Sequence, residues 1–165
     1  MKIVVVVVLL SLFGPPQYRV CYHPPVTGSV VKSFRAPDCP YCVGHRGLEY
    51  ETRAGSTVKA VASGVATFAG VVVGVRYLIV TQDDGLVATY GMLSASGVRA
   101  GDRVATAQIV GSTTESFYFG LRNDGAYIDP GPFIGTVAYQ PRLVPIDGQQ
   151  RRPPRAVGLR CGMSR

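Results

Sequence analysis

The stretch "VRYLIVTQDDGLVATYGML", residues 75–93, decides the fold. Two runs rich in Val, Leu, Ile, Thr and Tyr flank Asp83-Asp84-Gly85. Branched and aromatic side chains suit a pleated, half-buried surface, and Asp-Gly between two apolar runs is hairpin chemistry. The stretch predicts a β-hairpin with strands over 75–82 and 86–93. No segment of 12 residues competes with a helical period.

The same pattern extends outward in both directions. "TVKAVASGVATFAG" (57–70) reads as strand, tight turn and strand, broken at Gly64. "SASGVRAGDRVATAQIVGS" (94–112) gives short strands divided by Ala100-Gly101-Asp102, and "SFYFGLR" (116–122) is an aromatic strand ending at Asn123-Asp124-Gly125. Gly47, Gly64, Gly85 and Gly101 read as turn residues, and Asp129 before Pro130 as a turn stabiliser. Turns recur about every ten residues, the spacing of a sandwich or barrel of short antiparallel strands. The fold class is all-β. On the aromatic strand Phe117 and Phe119 share one face and read as core, while Ser116 and Tyr118 share the other.

The chain has 165 residues, 47% of them hydrophobic, which is enough for one core. Its net charge of +7 favours an anionic partner: nucleic acid, a membrane surface or an acidic cell-wall polymer. It lacks an interleaved aromatic and basic strand motif and zinc-finger spacing, so nucleic acid is set aside. Residues 148–165 read as a basic disordered tail, because five arginines, two prolines and no acid fall in the last fifteen residues. The bland reading of that tail is a solubilising end, and the alternative is a specific binding arm.

"MKIVVVVVLLSLFG" (1–14) is signal-like, with one basic residue before an apolar run too short to span a bilayer. It implies export, to the periplasm, the cell wall or the medium. An uncleaved anchor, giving the one contact with membrane, and a misassigned start codon are the alternatives. Residues 15–28 form an extended leading segment and 29–147 the β domain. Export would place the four cysteines in an oxidising compartment. Cys39 and Cys42 stand in "CPYC", and Cys21 and Cys161 lie far apart. A redox centre at "CPYC" would want a helix after it, and a thiolate zinc site would want a second close pair. The expected arrangement is a structural disulfide joining Cys21 to Cys39 or Cys42, although four cysteines allow three pairings.

"GHRGLEYETRAGSTVKAVASGVATFAG" (44–70) opens a series of motifs in a particular order. His45 to Glu49 comes first, then Gly55 to Val65, then "YGML" at Tyr90 to Leu93. "VRAGDRVATAQIVG" (98–111), "SFYF" (116–119) and Asp129-Pro130 follow. The series resembles the lysostaphin-type (LytM) zinc endopeptidases of peptidoglycan over residues 29–135. That resemblance implies a two-layer antiparallel β core with an open groove on one face. It also implies zinc held by the histidine and aspartate of His-x-Gly-x-Asp and by the second histidine of His-x-His. A histidine in Tyr-x-His and the first of His-x-His assist the attacking water.

This sequence departs from the family at those positions. His45 matches a ligand, Glu49 replaces the aspartate, and Tyr118 stands at the third ligand. Met92 and Ser116 stand at the two assisting histidines, so no catalytic residue is expected. Catalytic zinc normally keeps three protein ligands and one open position. His45 and Glu49 supply two, and a phenol titrates near ~10. A thioether moves no proton, whereas a positioned acid or base contributes about two to four powers of ten in rate. Rescue by His23 has no spacing argument behind it. His45 then reads as a structural loop histidine, with Glu49 paired to it or to Arg46. The former groove is expected to be lined by Tyr90, Met92, Ser116, Tyr118 and Arg122.

The resulting expectation is an exported, degenerate member of the family. It would have no cofactor, and would bind peptidoglycan or regulate a cell-wall hydrolase. The alternatives are an active zinc endopeptidase with a rearranged site, using zinc as its cofactor, and an anchoring module whose groove takes no ligand.

Overall fold

A computed structural model of the chain describes residues 20–39, 41–139 and 156–161. The expected signal-like segment lies outside the described residues, as do residues 15–19 of the leading segment and residues 148–155 and 162–165 of the tail. Every regular element described is a strand except one 3-10 turn at Gly131–Phe133. In chain order the strands are β1 (Ser29–Lys32), β2 (Leu48–Glu51), β3 (Thr57–Lys59) and β4 (Gly64–Val72). Then come β5 (Val75–Gln82), β6 (Val87–Ser96), β7 (Arg103–Val104) and β8 (Ile109–Asn123). The last three are β9 (Ala126–Ile128), β10 (Thr136–Tyr139) and β11 (Ala156–Arg160).

The first nine strands form one antiparallel sheet in the order β1-β2-β8-β6-β5-β4-β7, with β3 and β9 also paired to β8. The 75–93 hairpin is its centre. β5 begins and ends where the apolar run does, and Gly85, with φ at 89°, supplies the left-handed turn residue. No α-helix occurs among the described residues.

Register explains both faces of this sheet. One row runs Leu48, Phe119, Tyr90, Leu78 and Ala69 across β2, β8, β6, β5 and β4. Its first four members are buried, and with Phe117, Val80 and Leu121 they make the core. Fully burying one such side chain stabilises by about 1.5–3 kcal/mol. The next row, one residue along each strand, runs Glu49, Tyr118, Gly91, Tyr77 and Gly70. Side chains alternate faces, so this second row stands on the opposite side of the sheet. It is the face that carries the candidate site.

β8 leaves β6 in the middle of its length. Gly91 faces Tyr118, yet Leu93 faces Thr113, so β8 carries extra residues between those pairs. Met92 sits at that irregularity with φ at 59°, a left-handed backbone uncommon outside glycine. Through this gap β8 stays paired to β2, with Ser116 opposite Glu51. Thr114 bridges the gap locally: its hydroxyl donates to the Ser116 carbonyl at 2.8 Å.

Two expectations are corrected at the chain ends. Residues 156–160 form β11, paired antiparallel with β10, rather than part of a disordered tail. Composition read that tail in isolation, but backbone pairing needs only a partner strand, and β10 supplies one. The disulfides join Cys21 to Cys161 and Cys39 to Cys42, not Cys21 to the "CPYC" pair. Tyr22 is the reason for the first: it bridges Ile134 in parallel and is 2% exposed, which pins Cys21 beside the strand pair that carries Cys161. A tight turn explains the second, with the Cys42 amide donating to the Cys39 carbonyl at 3.1 Å.

Candidate functional site

The groove has two walls. The first is the segment leading into β2. Arg35 and His45 form an antiparallel bridge, with backbone hydrogen bonds of 2.8 and 2.9 Å. His45 Nδ1 lies 2.9 Å from the Ser33 carbonyl. A carbonyl only accepts, so Nδ1 carries the proton and the Nε2 lone pair of the neutral ring faces away from it. Nε2 lies 3.8 Å from Glu49 Oε2, and Lys32 Nζ lies 4.0 Å from the same oxygen. Glu49 is therefore paired with Lys32, its cross-strand partner on β1, while the unprotonated Nε2 edge of His45 lies beside it.

The second wall comes from β6 and β8. Tyr118 stands opposite Glu49 and Gly91. Its ring meets His45 edge-on, with centroids 6.0 Å apart. Its hydroxyl donates to the Arg46 carbonyl at 2.9 Å. Burial pushes the phenol up to about 12, helped by Tyr127 and Tyr77 and opposed by Arg46 and Arg122. At neutral pH the phenol keeps its proton.

Three glycines make room for that ring. A Cβ at Gly47 would come within 2.8 Å of Tyr118 Cε2 and Cζ, and one at Gly120 within 2.7 Å of its hydroxyl oxygen. A Cβ at Gly91 would press on Tyr118 at 3.2 Å and on Tyr77 at 2.7 Å. Gly47 and Gly64, expected as turn residues, serve close approach: Cβ atoms there would meet carbonyl oxygens of Phe119 at 2.4 Å and Thr81 at 2.3 Å. Asp129 acts as expected, its carboxylate accepting from the Gly131 amide at 2.9 Å.

The expected lining residues part company. Ser116 and Tyr118 face away from the core, Met92 is half-buried at the irregularity of β6, and Arg122 is half-buried two residues beyond Gly120. Tyr90 is corrected. It is fully buried, packs against Phe117 and Phe119 at 6.5 and 5.4 Å, and its hydroxyl accepts from the Val61 amide at 3.0 Å. Simple alternation puts Tyr90 and Met92 on one face, and the left-handed turn at Met92 breaks that rule. Tyr77, Tyr127 and Arg46 were missed. The hairpin register alone places Tyr77 beside Gly91, and the Asn123-Asp124-Gly125 turn pairs Arg122 with Tyr127. His23 is exposed on a separate cleft of about 780 Å³, with Ser56, Lys59 and Ile109.

Residues 43–130 match the model for peptidase family M23. The chain belongs to that family. Curated relatives in Haemophilus influenzae include an uncharacterized protein, 29% identical over 68% of this chain and 29% of its own length. Another is an outer membrane antigenic lipoprotein B, 24% identical over 80% of this chain and 32% of its own. The chain thus spans about a third of those relatives or less. Among solved structures, Helicobacter pylori Csd3 aligns at a TM-score of 0.63, 23% identical, over 71% of this chain and 35% of that one. The catalytic domain of lysostaphin from Staphylococcus simulans aligns at 0.56, 23% identical, over 64% and 91%. A SpoIIQ–SpoIIIAH pore forming complex aligns at 0.56, 23% identical, over 70% and 92%.

Within this M23 domain the donor set does not fit a catalytic zinc. Zinc asks for three protein ligands at about 2.0–2.2 Å for nitrogen and oxygen. His45 and Glu49 offer two, while the neighbouring Tyr118 is a phenol already donating to a backbone carbonyl. Among the described residues no group of three or more His, Cys, Asp or Glu side chains is arranged to hold a metal ion. The chain is a degenerate member of its family.

Proposed function

We propose that this chain is an exported, non-catalytic M23 domain that binds peptidoglycan, or regulates a cell-wall hydrolase, through its former active-site groove. One observation carries the reading. Tyr118, which the family resemblance aligns with the third ligand, is seated among Gly47, Gly91 and Gly120, with its hydroxyl spent on the Arg46 carbonyl. Reversing that arrangement for metal binding would cost a half-buried hydrogen bond and the deprotonation of a raised phenol. Met92 moves no proton, so water activation lacks a partner on that wall as well.

What remains is a sheet face of aromatic rings and hydroxyls. Tyr77, Tyr118 and Tyr127 offer ring faces, and Ser116 and Tyr118 offer oxygen. Such a lining suits sugar rings and peptide groups. The net charge of +7 suits an anionic wall polymer. The lipoprotein name of one relative fits an envelope location for this chain too. The name of the SpoIIQ–SpoIIIAH complex fits the partner-binding branch of the proposal.

The second reading is a zinc peptidase with a rearranged site. The free Nε2 lone pair of His45, 3.8 Å from Glu49, favours it. The test is co-sedimentation of the full-length chain with purified sacculi, run beside a cleavage assay on wall cross-bridges. Binding without cleavage, weakened by Tyr118→Ala, is expected. Cleavage that disappears in His45→Ala would establish the second reading instead. Absence of sacculus binding and of any wall-enzyme partner would end the first.

A further inference from the structure

The hairpin of β4 and β5 closes in an apolar tip, Val71-Val72-Val73-Gly74. Val71 is 55% exposed, Val72 49% and Val73 97%. Arg76, opposite Leu93, is the last residue of β5 toward that tip to pair with β6. Beyond it, among the described residues, the hairpin pairs only with itself, Val71 with Arg76 and Val72 with Val75. A Cβ added at Gly74 would meet nothing within 4 Å. Val73 and Gly74 have φ of 48° and 79°, a two-residue turn that ordinarily takes Asn or Asp at its first position. Val73 is thus unfavourable twice, as a β-branched residue in a left-handed backbone and as an apolar side chain in water. Packing within the fold explains neither, because almost none of Val73 is covered. A strained residue that the fold does not need points to a use outside it.

A convex tip has to enter whatever covers it. A protein pocket selects shaped anchors, chiefly Trp, Tyr and Arg, and valine is under-represented among them. A lipid surface asks only for apolar area and, where its headgroups are anionic, for positive charge. Between Lys59 and Asp83 the one charged residue is Arg76, the cross-strand partner of Val71, and the chain as a whole carries +7. An arginine in that place keeps its stem along apolar neighbours and its head among phosphates. We propose that the tip at residues 71–74 docks this domain on an anionic lipid surface, with the valines in the interfacial layer and Arg76 at the headgroups. Three valines bury little area, so attraction of the basic chain to anionic lipid supplies the second signal that stable association needs. The inference is independent of the groove reading above and survives its failure.

The apolar run at residues 1–14 would itself hold the full-length chain on vesicles, so the test reads the tip directly. The described cysteines are all disulfide-bonded, and Val72→Cys therefore carries a single environment-sensitive fluorophore. Ala126→Cys carries it at the opposite end of the sheet, where Val87 faces both Thr81 and Arg122. Each labelled chain is titrated with vesicles of phosphatidylcholine alone and of phosphatidylcholine with one-third phosphatidylglycerol. The emission at position 72 is expected to shift to the blue on the anionic vesicles, far less on the neutral ones, and to return with added salt. Position 126 should not respond. Val73→Asn in the chain labelled at position 72 should weaken that titration by about fivefold. It should leave the unfolding temperature unchanged or raised, because Asn suits the left-handed turn. Arg76→Gln should weaken the response to anionic vesicles and reduce its salt dependence. No shift at position 72 while the chain sediments with vesicles would overturn the proposal and assign the membrane contact to another segment. No association with either vesicle would overturn it too, leaving a protein pocket as the occupant of the tip. A response undiminished in Val73→Asn, or equal on neutral and anionic vesicles, would also contradict it.

Discussion

The two walls of the groove have kept different things. The His45 wall retains its backbone bridge to Arg35, a proton fixed on Nδ1 and a carboxylate within 3.8 Å of Nε2. The β6–β8 wall retains strands and core packing but carries Met92, Ser116 and Tyr118 where the family resemblance asks for histidines. A strand's inward residues are held by the core, and its outward residues only by chemistry. Phe117 and Phe119 are therefore still wholly buried beside Tyr118, which has been recruited as packing against three glycines.

The sharpest test of that contrast is on one strand. Phe117→Ala, on the inner face of β8, should lose about 3–5 kcal/mol in denaturant unfolding, whereas Ser116→Ala beside it should change stability by no more than about 0.5 kcal/mol. Equal effects would break the distinction between the faces. Next in size is Gly47→Ala, where the walls touch. The new Cβ would stand 2.4 Å from a Phe119 carbonyl, which cannot swing aside, and a loss of about 1–3 kcal/mol is expected. Gly85→Ala would act through backbone strain alone, about 1 kcal/mol, because nothing crowds that position.

A smaller effect appears at high pH. The Tyr118 phenol is held at about 12 when folded, against an unfolded value near ~10. Its contribution is thus fully present below pH ~10 and is lost as pH rises toward 12, because the unfolded chain releases that proton first. Tyr118→Phe should flatten the fall in stability over that window and cost about 1 kcal/mol at neutral pH. Wild type and Y118F falling in parallel above pH 10 would show that the hydroxyl is not buried as described.

Much of this was legible in the sequence, for physical reasons that differ by residue. Hairpin 75–93 announced itself through alternation and Asp84-Gly85, and the faces of β8 through the period of two. Tyr90 was misplaced because a left-handed residue at Met92 leaves no mark in a hydrophobic pattern. The Cys21–Cys161 bond was hidden because composition cannot say that Ala156–Arg160 finds a partner in β10. Arg46 was weighed only as a partner for Glu49, yet its carbonyl holds Tyr118 and its guanidinium meets Tyr127. Those contacts depend on the approach of two walls distant in the chain, and spacing carries no trace of them.

The central claim is that the tyrosine wall has closed this site to a catalytic metal. The direct measurement is elemental analysis of the full-length chain after exposure to zinc and extensive dialysis. The account predicts far less than one zinc per chain, unchanged in His45→Ala. One tightly held zinc per chain, lost in His45→Ala, would contradict it.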